Sequence, residues 1–203
     1  MSRFLALGDS YTIGESVPES ERWPVQLAAR LRERGITVRE PEIVARTGWT
    51  AVELAEGIRS AAPRGPFALV TLLIGVNDQY RGHALEEYRR ELVALLDQAV
   101  RFAGGTPSRV VVLSIPDWSV TPFAAGRDRD RIAAEIDRFN RVASEEADRA
   151  GVRYVDVTPS SRGAGRDPAL VAPDGLHPAG RMYAAWADLA IPAALEALGT
   201  TDR

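Results

Sequence analysis

From Phe67 to Ile74 the chain reads Phe-Ala-Leu-Val-Thr-Leu-Leu-Ile and then stops at Gly75, with no charged residue along the way. A short apolar run bounded by a turn residue is a strand buried inside a sheet, and other elements have to cover it. The chain supplies that cover by alternation. Phe4 to Leu7, Arg109 to Ile115 and Val152 to Val157 have the same strand character, and Ile36 to Ala45 reads as an extended edge segment interrupted by Pro41. Between them lie helical patterns. Trp23 to Arg34 repeats Trp23, Leu27 and Leu31 before Gly35, and Ala51 to Ala62 follows Thr50 as N-cap with Glu53 at the capping-box position. Leu85 to Phe102 is closed by Gly104 and Gly105. Arg127 to Ala150 carries the stripe Ile132, Ile136, Phe139 and Val142, and Arg181 to Leu198 contains Pro192, where a kink or break is expected.

Strands alternating with helices predict an α/β fold, a three-layer α/β/α sandwich around a five-stranded parallel sheet. Right-handed crossovers favour the flavodoxin-like strand order 2-1-3-4-5. With 203 residues the chain suits a single domain over 1–203, burying roughly 70% of the surface an unfolded chain exposes. A net charge of −3 gives no basic footprint for nucleic acid. No run approaches a membrane span and no signal-peptide pattern opens the chain, so stable membrane insertion is not expected and the expected location is cytoplasmic. Cysteine is absent, which removes thiol catalysis and cysteine-ligated zinc. All 25 basic residues are arginine, which removes lysine-based mechanisms as well.

The chemistry starts where the first strand ends. Gly8 is a residue type that lets the chain turn sharply, and after it Asp9 and Ser10 are delivered onto a loop at the rim of the sheet, the side on which parallel sheets bind ligands. A serine hydroxyl is a poor nucleophile without a base and an acid to orient that base. There are two histidines. His83 begins a helical pattern with no carboxylate beside it, whereas His177 follows Asp174 by three residues in Asp174-Gly175-Leu176-His177-Pro178. The second setting suits a triad of Ser10, His177 and Asp174. Asp9 and Asp78 read as structural carboxylates, a loop cap and a brace.

Gly8-Asp9-Ser10, the isolated Gly48, Gly75-Val76-Asn77-Asp78 and Asp174-Gly175-Leu176-His177 together resemble the four ordered blocks of the SGNH (GDSL) hydrolase superfamily, and they span almost the whole chain. The resemblance implies a serine ester hydrolase acting on small or medium carboxylic esters through an acyl-enzyme. It also implies an oxyanion hole built from the backbone N–H groups of Ser10 and Gly48 and the side-chain amide of Asn77, with no metal and no cofactor.

For substrate contacts the expectation falls on Tyr11, Trp49, Tyr80, Trp118 and Phe123, placed on loops at the rim of Ser10, and on the stretch 115–123 as a pocket wall or lid. Arg46 and Arg81 are candidates for an anionic head group. Carbohydrate O-deacetylase, lysophospholipase, thioesterase, arylesterase and acyltransferase activities stay open on the same site. A metallophosphoesterase, which would need more histidines, and a catalytically silent binding domain are the readings from other classes.

Overall fold

The computed structural model describes residues 1–200; positions 201–203, the end of the span expected as one domain, lie outside the described residues. Five strands form one sheet: β1 (Phe4–Gly8), β2 (Glu42–Ala45), β3 (Leu69–Leu73), β4 (Val110–Leu113) and β5 (Arg153–Val155). All neighbours pair in parallel in the order β2-β1-β3-β4-β5, as expected. The eight α-helices of the described residues are α1 (Ser10–Ile13), α2 (Trp23–Glu33), α3 (Ala51–Ala61), α4 (Val76–Tyr80), α5 (Leu85–Phe102), α6 (Arg129–Ala150), α7 (Thr158–Ser161) and α8 (Gly180–Ala197). The pair α2 and α8 covers one face of the sheet, and α3, α5 and α6 pack side by side on the other. This is the α/β/α sandwich, with the change of face at β1 where strand order reverses.

Local sequence explains most boundaries. Trp23, Leu27 and Leu31 of α2 are buried, as are Tyr183 and Trp186 of α8, the helix against which α2 packs. Thr50 and Glu53 form the full capping box that starts α3. Edge strand β2 is shorter than Ile36 to Ala45: Val38 makes only an isolated bridge to Ser2, and Pro41 separates it from the paired residues.

Pro192 does not break α8, which runs from Gly180 to Ala197. The proline lies on the exposed face one turn after exposed Asp188, whose freed carbonyl can be hydrated, while buried Trp186, Ala190, Ile191 and Ala194 hold the helix down.

Gly8 is required for a different reason from the sharp turn its sequence position suggests. A Cβ there would sit 2.2 Å from the Thr12 hydroxyl and 2.5 Å from the Leu73 carbonyl, so the glycine lets α1 and β3 approach the end of β1.

Past β4 the chain is pinned by one side chain. Asn140 of α6, buried, accepts from the Ile115 N–H at 2.7 Å and donates to the Ile115 carbonyl at 3.0 Å and the Thr158 hydroxyl at 2.9 Å. Replacing it strands a buried donor at the start of the 115–123 stretch. Asn140→Ala is expected to cost about 1–3 kcal/mol in urea unfolding; an unchanged midpoint would show that the bonds add nothing.

Candidate active site

The loop after β5 carries the histidine. Asp174 Oδ1 accepts the N–H groups of Leu176 and His177, both at 2.9 Å, so the turn folds around its own carboxylate. Oδ2 accepts the Ser16 hydroxyl at 2.7 Å and lies 2.6 Å from His177 Nδ1. Burial alone would raise the pKa of Asp174. The Leu176 N–H, the Ser16 hydroxyl, the His177 ring and the His177 N–H outweigh it and hold the carboxyl well below the usual carboxylate range. An ionised Asp174 fixes the proton on Nδ1 and leaves Nε2 as an acceptor. The Tyr11 ring meets the imidazole edge-on at 5.6 Å.

Ser10 departs from the loop placement expected for it. It is the first residue of α1, capped by Asp9, whose Oδ1 accepts the Tyr11 N–H at 3.0 Å. At the start of a helix its own N–H has no intrahelical partner. Ser10 and His177 line the same cavity of about 160 Å³ without a hydrogen bond to each other among the described residues, and such bonds often tighten only when substrate binds.

The other two blocks meet them there. Gly48 has φ +85°, a conformation that favours glycine, and Thr47, Gly48 and Trp49 are tied to the chain after α1 and to the two ends of α4. The Thr47 hydroxyl bonds Glu15, the Gly48 carbonyl accepts from Arg81 at 2.6 Å, and the Trp49 carbonyl accepts from the Asn77 amide at 2.9 Å. Arg81 is itself held by Glu53, 3.2 Å away. The N–H of Gly48 and the second N–H of the Asn77 amide have no partner among the described residues and lie beside the cavity. Asn77 sits in the first turn of α4.

Four of the five expected aromatic residues line the cavity: Tyr11, Tyr80, Trp118 and Phe123. Trp49 does not, because its ring packs against Gly57 of α3 and only its carbonyl serves the site. The 115–123 stretch walls the cavity through Trp118 and Phe123 and is tied to its neighbours: Trp118 Nε1 donates to Gln79 at 2.9 Å, Asp117 caps the Trp118–Val120 turn, and Arg162 pairs with Asp117 at 2.8 Å. A lid motion would have to break these bonds. Arg81 is occupied with Gly48 and Glu53, and Arg46 faces a groove on the far side of Trp49, so neither lines this cavity.

The sequence matches the GDSL-like lipase/acylhydrolase family over residues 6–185. The chain belongs to that family. No curated protein matches this GDSL hydrolase. Among solved structures it is similar to TesA (23% identity, covering 97% of this chain and 99% of that one, TM-score 0.74). It is also similar to the psychrotrophic esterase EstA from Pseudoalteromonas sp. (14%, 98% and 100%, TM-score 0.75) and to the acetylxylan esterase Axe2 from Geobacillus stearothermophilus (19%, 100% and 97%, TM-score 0.70). These likenesses establish a shared SGNH hydrolase fold. No helix among the described residues is long and apolar enough to cross a membrane.

Two contacts in this GDSL hydrolase escape a reading by sequence proximity. His83 is not isolated: its Nδ1 lies 3.3 Å from Asp78 Oδ1, five residues upstream across the end of α4. Asp78 Oδ2 meanwhile accepts the Ala51 N–H at 3.0 Å, bracing α4 against the start of α3. The second concerns Asp9. Its Oδ2 is buried without a partner among the described residues, and burial pushes the carboxyl up to about 8, opposed by the Tyr11 N–H and reinforced by the Asp78 charge.

A carboxyl whose folded pKa is raised binds its proton in the native state more tightly than in the unfolded chain. The stability it gives is complete below about pH 4 and drains away as the pH rises towards 8. Asp9→Asn keeps the acceptor for Tyr11 and removes the titration. The variant is expected to melt above wild type at neutral pH, with a difference that shrinks as the pH falls to about 4; a difference constant with pH would refute the shifted titration.

Proposed function

We propose that the chain is a serine ester hydrolase that cleaves carboxylic esters through an acyl-enzyme. The observation that carries this reading is the short His177–Asp174 contact at 2.6 Å, opening onto the same cavity as the Ser10 hydroxyl. His177 Nε2 takes the proton of Ser10 as Oγ forms its bond to the ester carbonyl carbon, and Asp174 stabilises the resulting imidazolium. The N–H groups of Ser10 and Gly48 and the Asn77 amide receive the oxyanion. Collapse of the tetrahedral intermediate breaks the bond to the alkoxy oxygen, which leaves with the proton from His177. Water, activated by the same imidazole, then releases the acid and restores Ser10.

The free donors matter because their positions are set before substrate arrives, so little reorganisation is needed as charge develops. Asn77 reaches one way to the Trp49 carbonyl and offers its other N–H to the cavity. Arg81 holds the carbonyl of Gly48 and so limits rotation of the loop that carries the Gly48 N–H. EstA and Axe2 are esterases, in agreement with ester cleavage, and Axe2, an acetylxylan esterase, brings acetylated carbohydrate within the range of substrates to be tried.

A p-nitrophenyl ester series from acetate to long acyl chains tests the reaction and sizes the pocket. Ser10→Ala should reduce turnover to background, with wild-type activity indifferent to a chelator; chelator-sensitive turnover that survives Ser10→Ala would sink the reading. Asn77→Ala should lower kcat by roughly 10²–10³ with a small change in KM. Arg81→Met should lower kcat by up to about 10² with KM nearly constant, and Arg81→Lys should recover part of it. A change confined to KM would remove Arg81 from oxyanion positioning.

A further inference from the structure

The cavity of Ser10 has a neighbour. On the other side of Tyr80 and Trp118 lies an open cleft of about 490 Å³, with Leu85, Ile132 and Phe139 among its lining residues and charged side chains of α6 around them. Tyr80 and Trp118 line both spaces, and Phe123 completes a trio whose ring centres are 5.6–6.1 Å apart. Tyr80 and Phe123 are 47% and 38% exposed, among the few large apolar side chains that face solvent.

Arg127 lies across this trio. Its guanidinium carbon is 4.9 Å from the centre of Phe123, 5.5 Å from Tyr80 and 5.6 Å from Trp118. Its one polar contact is a long one, 3.4 Å to the Tyr80 hydroxyl, and no carboxylate pairs with it among the described residues. The cleft does hold acids, but they are engaged. Asp128 caps α6 through the Arg131 N–H, and Glu135 accepts from Arg131 at 2.8 Å and from Gln79 at 2.9 Å. Asp78, beside the cleft residue His83, is committed to His83 and Ala51. Aromatic faces orient a guanidinium without using its N–H donors, so Arg127 presents a planar fork whose hydrogen-bonding capacity is almost entirely unspent.

We propose that Arg127 anchors an anionic group of the substrate: the ester carries a carboxylate or phosphate remote from its carbonyl, which crosses the aromatic wall and binds in the cleft. The proposal rests on Ser10 as nucleophile and adds what the pocket selects. The wall contacts the apolar part of such an ester, and Arg127 forms a charge-assisted, bidentate pair with its oxyanion. Selection is by charge at the far end of the molecule, while Ser10, His177 and the free donors act on the carbonyl.

The test compares matched esters. On the acyl side, p-nitrophenyl monoesters of adipic and suberic acids are set against their methyl-capped neutral counterparts; on the alcohol side, the butyryl ester of glycerol phosphate is set against monobutyrin. One of the two pairs should show kcat/KM about tenfold higher for the anion at low ionic strength, and the preference should narrow as salt is added. The pair that responds identifies which end of the ester reaches the cleft. Arg127→Gln should bring the ratio close to one, Arg127→Lys should keep most of it, and Arg127→Glu should reverse it. Absence of an anion preference in both pairs, or a preference untouched by Arg127→Gln and Arg127→Glu, would overturn the proposal.

Titrating the same esters into Ser10→Ala protein separates the two readings. Anion-selective binding alongside continued turnover would fail the nucleophile and keep the anchor; loss of turnover without anion-selective binding would fail the anchor alone.

Discussion

All five strands run in the same direction, and the site depends on that constraint more than on any single contact. In a parallel sheet every strand ends on the same rim, so the residues that follow β1, β2 and β3 converge without a long loop to carry them. Ser10 follows β1 by two residues, Gly48 follows β2 by three, and Asn77 follows β3 by four. Only Asp174 and His177, past β5 and α7, need a longer path, and that turn is held by bonds to its own carboxylate. Gly8 makes the convergence tight, since any side chain there would push α1 away from β3.

Polar groups around the rim are divided between those that hold and those that are left over. Thr47, Gly48 and Trp49 are each tied by a different partner, Glu15, Arg81 and Asn77, which spends the carbonyls of Gly48 and Trp49 and leaves the Gly48 N–H beside the cavity. Two carboxylates a short distance along the chain from Ser10 and His177 illustrate the same division. Asp174 accepts four hydrogen bonds and its pKa falls, whereas Asp9 accepts one while fully buried and its pKa rises. Environment, rather than residue type, separates an ionised partner for histidine from a carboxyl that keeps its proton. The aromatic wall repeats the theme: Trp118 is fixed through Gln79 and Glu135, and Arg127 above it keeps its donors free.

Much of this architecture is legible from local patterns, because strand runs, helical stripes and caps are encoded within a few residues of where they act. The Thr50–Glu53 capping box, the length of α5 and the Asp174–His177 turn follow from such short-range signals, and the strand order follows from the crossover rule applied to the elements they define. Pro192 shows where the local signal misleads, since a helix buried along one face can carry a proline on the other. His83 shows it again: its carboxylate partner is five residues away, close in space only because α4 ends in between.

The sequence by itself determined the alternating elements, the family blocks and the residue types able to act as nucleophile, base and acid, since each is written in contiguous residues. Tertiary structure decided which way side chains face. It turned the Trp49 ring onto Gly57, assigned Arg81 to the Gly48 carbonyl, and laid Arg127 over Tyr80, Trp118 and Phe123. Those outcomes depend on packing between segments tens of residues apart, and no local periodicity records which neighbour a side chain will meet.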